Sequence, residues 1–260
     1  MGTPGAVRAW ESQWTYYRVN WRSNVFGAFL QPFLYLLGMG VGVGQLVDSR
    51  SGSTELLGGL TYYQFLAPAL LATTGMTLAA GDSLWPVMAG FKWQRFFHAQ
   101  AQTPLTPAQV SNGFVLWLVT RAAIGVVGVA AVLALFPSSR RWGLLLALPF
   151  GVLTALAFAA PLVAWSASRE SERSFPSIMR FGITPLFLFG GAFFPIEQLP
   201  GWLRPVAQAT PLWHGVELCR GAVFNTLTLG STVAHVAVLA GFAVVGLWLA
   251  TRSFSTRLAK

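Results

Sequence analysis

Charge, lysine and cysteine are all scarce in this chain, and each scarcity excludes something. Charged residues occupy 10% of its 260 positions, against about 25% in a soluble domain, so water is not its main solvent. The single cysteine, Cys219, rules out an intrachain disulfide and a cysteine-built zinc cluster. Neither of the two lysines, Lys92 and Lys260, follows a glycine. The Gly-x-x-x-x-Gly-Lys-Ser/Thr phosphate loop is therefore absent, and the chain does not hold ATP in that manner. His98, His214 and His235 are scattered without an HExxH spacing, so no metal site is expected. Asp82 in "LAAGDS" lacks the GxGD pattern of an intramembrane protease, and Ser83 and Ser166 have no base in view. No catalytic residue emerges.

What is abundant is apolar. Hydrophobic residues make up 54% of the chain, gathered into runs of about 20 that predict a polytopic helical membrane protein. The spans are expected at 24–47, 60–84, 107–136, 142–165, 177–194 and 227–250, an all-α fold of six helices in a single domain covering 1–260. The net charge of +9 fits the positive-inside rule and anionic lipid better than nucleic acid, for which no reader motif is present. With the N-terminus inside, eleven of the 17 Lys and Arg fall on the cytoplasmic side, five outside, and Arg121 within a span. Both termini are accordingly expected in the cytoplasm. The first residues lack the apolar core of a signal peptide and are expected to be retained.

Three segments between the spans carry more than connection. In 1–23, Trp10, Trp14, Tyr17 and Trp21 recur at helical spacing as one aromatic stripe, with Arg18 and Arg22 off it. This reads as an interfacial helix at the headgroup level, or alternatively as a helix packing a tryptophan core. Small residues four apart in the first span, Gly38/Gly42 and Gly40/Gly44, permit close helix approach. The stretch 87–103, "VMAGFKWQRFFHAQAQT", is too polar to cross and too aromatic for a linker, and a short helix is expected from Phe91 to Gln102. After it, Thr106 is placed to cap the next helix, with Pro107 at its first position and Gln109 completing a capping box.

The third segment, 195–223, follows the fifth apolar run. Pro195 removes a backbone donor and forces a bend or an end. Two short helices are expected beyond it, the second capped by Thr210 with Pro211 at its first position. There Leu212, Val216, Cys219 and Val223 share a face, while Glu217 and Arg220 pair at i, i+3 away from it. Such broken helices are a re-entrant lid over a path or an amphipathic loop on the headgroups; the residues leave both open. Arg121 lies roughly 20 Å along the third span. An intramembrane cation costs at least ~2.5 kcal/mol and must face protein or water. Asp82, Glu217 and backbone carbonyls are its candidate partners, in either a structural or a path-lining role.

The whole chain resembles the membrane subunit of ABC-2 type exporters, near the NodJ and daunorubicin-permease branch. The resemblance rests on its overall layout, on "TPLTPAQV" (Thr103 to Val110), and on "GGAFFPIEQLPGWLRPVAQATPLWHGVELCRG" (Gly190 to Gly221). The latter is similar to the family's F-P-x-x-x-L-P-x-x-L…P-L-x-x-x-x-x-x-R signature. One departure is the basic, aromatic run "GFKWQRFFHAQAQ" where many relatives are acidic. The resemblance implies a non-enzymatic permease in the bacterial plasma membrane, paired with a second permease copy as a homodimer and with two copies of a separate ABC ATPase that holds Mg-ATP. Its cargo would be amphiphilic, drug-like or a lipid-linked glycan. Phe91, Lys92, Trp93, Arg95, Phe96 and Phe97 would be the ATPase-coupling residues, the aromatics plugging a cleft on the motor. Phe194, Pro195, Pro200, Trp202, Pro211, Trp213, Glu217 and Arg220 would form an external gate. The competing classes are an ion-gradient-driven secondary transporter, which would favour internal repeats and paired intramembrane acids, and a scaffold without a path.

Overall fold

The computed structural model describes residues 4–19, 30, 33–49 and 52–259, and among these every regular element is helical. Helix α1 (Gly5–Val19) precedes α2, which is π-wound over Leu36–Val43 and α-helical over Gly44–Asp48. Long α3 (Tyr62–Met88) continues as a π turn through Ala89–Trp93, and short α4 (Phe96–Ala101) follows. Next come α5 (Pro107–Ala134) and α6 (Gly143–Ala167). Broken α7 comprises Phe175–Ile178, a π turn at Met179–Ile183, and Thr184–Phe189. Short α8 (Arg204–Gln208), α9 (Pro211–Phe224) and α10 (Leu229–Leu258) complete the chain. Among the described residues, three helices, α5, α6 and α10, are both long and apolar enough to cross a membrane. Trp21, Arg22, Lys260 and the first part of the expected first span lie outside the described residues.

Helix α6 is the central post, packed on α3, α5, α9 and α10. Its small residues Ala147, Gly151, Ala155 and Ala159 are buried and bring neighbouring backbones close. A Cβ added at Gly75 of α3 would stand 2.5 Å from the Gly151 carbonyl oxygen, so this crossing admits no side chain. The most exposed long helix is α10, whose Val244, Val245 and Trp248 face outward. Of the glycines in α2, Gly40 approaches the Tyr63 ring whereas Gly38 meets nothing, so only one of the two four-residue pairs serves packing on α3.

Helix ends follow the local chemistry. At α5 the Thr106 side chain accepts from the Gln109 backbone N–H while the Thr106 N–H donates to the Gln109 side chain, and Pro107 occupies the first turn. Thr210 does stand at the N-cap of α9, but its hydroxyl donates to the Ala207 carbonyl at 2.6 Å and ties α8 to α9 instead of capping. Two boundaries differ from the sequence expectation. The segment from Phe91 to Gln102 is not one helix: Phe91–Trp93 finish α3, and the chain breaks at Arg95, which has φ 54, before α4 starts. The fifth run stops at Phe189 rather than bending at Pro195, because Gly191, at φ 79, turns the chain first.

Candidate functional site

The features gather at the two ends of the bundle, and at the α4 end they adjoin a cavity. The cavity, of about 970 Å³, is framed by α1, the end of α3, α4 and α5. In its wall Arg121 Nη1 of α5 meets Asp82 Oδ1 of α3 at 3.0 Å. Asp82 is thus the partner that satisfies the intramembrane cation. Tyr16, Tyr17, Trp85, Trp93 and Trp117 supply aromatic wall around that pair. Ser12, Gln13, Gln94, Gln100 and Thr103 line the cavity as well, so an aromatic wall and polar groups share one space, as suits a ligand with both apolar and polar parts.

Helix α1 closes one side of this cavity, and its stripe packs against α5. Trp10 Nε1 donates to Thr120 Oγ1 at 3.0 Å. Trp14 stacks between Trp10 and Tyr17, and both Trp14 and Tyr17 meet Trp117 edge-on. Arg18 is exposed off the stripe. Sequence periodicity found the face and left its neighbour open between headgroups and a tryptophan core; the ring contacts here are those of the second reading. Gln100 Nε2 of α4 donates to Ser12 Oγ of α1 at 2.9 Å, so the two surface helices are joined.

The aromatics expected to plug a partner's cleft are mostly internal. Phe97 is 0% exposed and Phe91 3%. With Phe96 they form a ring cluster reaching Phe114 of α5 and Phe254 of α10. Phe91 and Phe97 are therefore core residues that fasten the surface turn to the bundle, and Phe96 is half-buried against them. What remains outward is Trp93, 54% exposed, with Lys92 and Arg95 beside it. Lys92 Nζ lies 3.6 Å from Glu172 Oε2, an exposed pair of small energetic weight.

At the other end, Arg220 holds the broken segment together. Its Nη1 donates to Glu217 Oε1 at 2.7 Å, its Nη2 to the Gly191 carbonyl at 2.8 Å, and its Nε to the Phe65 carbonyl at 3.3 Å. The guanidinium also lies 3.7 Å from the Phe65 ring centroid. The predicted Glu217–Arg220 pair is present, but the Arg220 side chain is 12% exposed and points inward, not away from the buried face. Leu212, Val216, Cys219 and Val223 are all buried, as their shared face requires. Pro211 is buried and Phe194, Pro195 and Trp213 are half-buried, whereas Pro200 and Trp202 are exposed. Two residues the sequence left scattered also meet here: His214 Nδ1 and His235 Nδ1 stand 2.7 Å apart, with Trp213 edge-on to both rings. A separation of 21 positions across two helices leaves no local spacing that would reveal them. Among the described residues no group of three or more His, Cys, Asp or Glu is placed to hold a metal.

Comparison with known proteins gives the family. The family model described as "ABC-2 type transporter" matches residues 8–224. Nodulation protein J of Rhizobium meliloti (strain 1021) is 30% identical over 257 residues, spanning 96% of this chain and 94% of its own. Nodulation protein J of Rhizobium leguminosarum bv. trifolii is 30% identical over 263 residues, 98% and 96% of the two chains. The inner membrane transport permease YadH of Escherichia coli (strain K12) is 25% identical over 170 residues, 65% and 64% of the two. With the family model covering most of its length and relatives aligned nearly end to end, this chain belongs to the ABC-2 type transporter family, as a membrane permease.

Proposed function

We propose that the chain is the conduit half of an ATP-driven exporter in the bacterial inner membrane, moved by ABC ATPase subunits that are separate polypeptides and hold the Mg-ATP. The observation that carries this reading is the 970 Å³ cavity, with its Asp82–Arg121 pair, set directly against α4 and the end of α3. A ligand space and a surface that meets a motor then share walls, so movement of one changes the shape of the other. Six spans with both termini cytoplasmic, and assembly as a homodimer with two ATPases, complete the proposed complex. Trp93, Lys92 and Arg95 take the role of motor contact, since they are the outward members of the aromatic segment. A protruding indole rimmed by cations matches an apolar socket with acidic edges.

The cargo proposed is amphiphilic, drug-like or a lipid-linked glycan, matching a cavity whose wall mixes aromatic side chains with the Asp82–Arg121 pair and neutral polar groups such as Gln13, Gln94 and Gln100. The segment between α7 and α10, locked by Arg220, serves as the outer gate. Reconstitution tests this reading. The purified chain alone in proteoliposomes should neither hydrolyse ATP nor move cargo down an imposed ion gradient, and addition of its ATPase should confer both hydrolysis and transport. Gradient-driven transport by the chain alone would make it a secondary carrier and overturn the proposal.

A further inference from the structure

A second cavity, of about 630 Å³, opens at the same end of the bundle as α4, between the end of α3, the chain just after α6 and the last turns of α10. Its charge is one-sided. Lys92, Arg95, Arg169, Arg252 and Arg257 line it with one carboxylate, Glu170, and a second, Glu172, lies 3.6 Å from Lys92, so positive charge stays in excess. Cations so gathered repel, and a site that keeps them is complete only with an anion present.

Three of the arginines rest on carbonyl or aromatic groups. Arg257 Nη1 donates to the Ala167 carbonyl at 2.9 Å, and its guanidinium lies 4.2 Å from the Phe91 ring centroid. Arg169 stands over Trp165 at 5.0 Å and Arg252 over Trp248 at 5.7 Å. Planar forks fixed on aromatic faces retain spare N–H groups that suit phosphate oxygens. On the inner wall, His98 Nδ1 is buried without a hydrogen-bond partner. Burial first, and then the charges of Arg95 and Arg257, lower the pKa of His98, as expected for a ring facing positive charge.

The rim locates the source of the anion. Tryptophan and arginine together mark the headgroup level of a membrane, and a basic pocket between helices at that depth accepts the phosphates of anionic lipid. We propose that this cavity is a lipid site that binds the headgroup phosphate of an anionic phospholipid, with Arg95, Arg252 and Arg257 as its ligands. The site rests on its own geometry and requires neither the ATPase nor transport.

Lipid binding to the full chain in neutral detergent, read by native mass spectrometry, tests it. Phosphatidylglycerol should bind at least about tenfold more tightly than phosphatidylcholine, the scale of one charge-assisted hydrogen bond. The exposed pair Arg95→Gln/Arg252→Gln should abolish that preference while leaving the helical circular dichroism unchanged. Arg140→Gln/Arg141→Gln, at the opposite end and with the same loss of charge, should retain it. Sodium pyrophosphate at millimolar concentration separates the two sources of phosphate. If pyrophosphate binds and the lipid does not, the ligand is a soluble anion and the lipid assignment falls. Equal binding of the two lipids, or a preference that survives Arg95→Gln/Arg252→Gln, overturns the site altogether.

Discussion

Arg121 of α5 and Asp82 of α3 face each other at 3.0 Å within the membrane-spanning part of the bundle, on the wall of the larger cavity. Each neutralises the other, so removing Arg121 takes the paired cation from the Asp82 carboxylate, and removing Asp82 takes one partner from Arg121. Complete burial would set that cost at about 3–5 kcal/mol, and the partial opening of Arg121 to the cavity should reduce it. Arg121→Gln and Asp82→Asn should each lower the unfolding midpoint in detergent, and Arg121→Gln/Asp82→Asn should recover part of the loss. A double-mutant cycle should give a coupling of about 0.5–3 kcal/mol; strict additivity would show that the pair is not a unit.

Phe97 and Trp93 separate anchoring from docking. Phe97→Ala should destabilise the fold by about 3–5 kcal/mol, because the ring is fully enclosed by Phe91, Phe114 and Phe254. Trp93→Ala should change stability by no more than about 0.5 kcal/mol, as surface substitutions do, yet reduce co-purification of the ATPase. Thermal unfolding paired with quantitative pull-down distinguishes the two variants.

Arg220→Lys should fail to substitute for arginine. The guanidinium donates in three directions while stacked on Phe65, whereas an ammonium is a compact charge without the planar fork. Loss of hydrogen bonds to or from a charged group costs about 1.5–3 kcal/mol each. Faster proteolysis between α7 and α9 in Arg220→Lys, with the remaining helices protected, is the expected signature.

His98 sets a pH dependence. Its pKa is held below the ordinary value of 6.5 by burial, then by Arg95 and Arg257. The unfolded chain therefore binds the proton more readily than the folded one. The stabilising contribution is present above pH 6.5 and is lost as pH falls through the lowered folded value. His98→Gln should flatten the fall in melting temperature between pH 7 and pH 5, measured without anionic lipid.

Features confined to one helix were legible in the sequence, and features that join helices mostly were not. The Thr106 box and the buried face of α9 follow from spacing within a single element. The stripe of Trp10, Trp14 and Tyr17 was equally plain, but periodicity reveals which residues share a face and not what the face meets. For the same reason Phe91 and Phe97 resembled surface plugs: aromatic residues in a polar stretch suit a core cluster and a docking knob alike. The break at Arg95 had no cue, because arginine is a good helix former adopting a left-handed conformation under tertiary constraint. Asp82 was foreseeable as the partner of Arg121 because acids are few, whereas the meeting of His214 with His235 depends on how α9 crosses α10.

The contact of Gly75 with Gly151 limits how this protein can change shape. Where main chain lies on main chain there is no compliant layer of side chains to compress, so α3 and α6 tilt together or not at all. Deformation is left to the loosened windings at Leu36–Val43, Ala89–Trp93 and Met179–Ile183, which lie outside that clamp. The bundle is in effect a rigid mast with compliant joints toward its ends, and Trp93 stands at one of them.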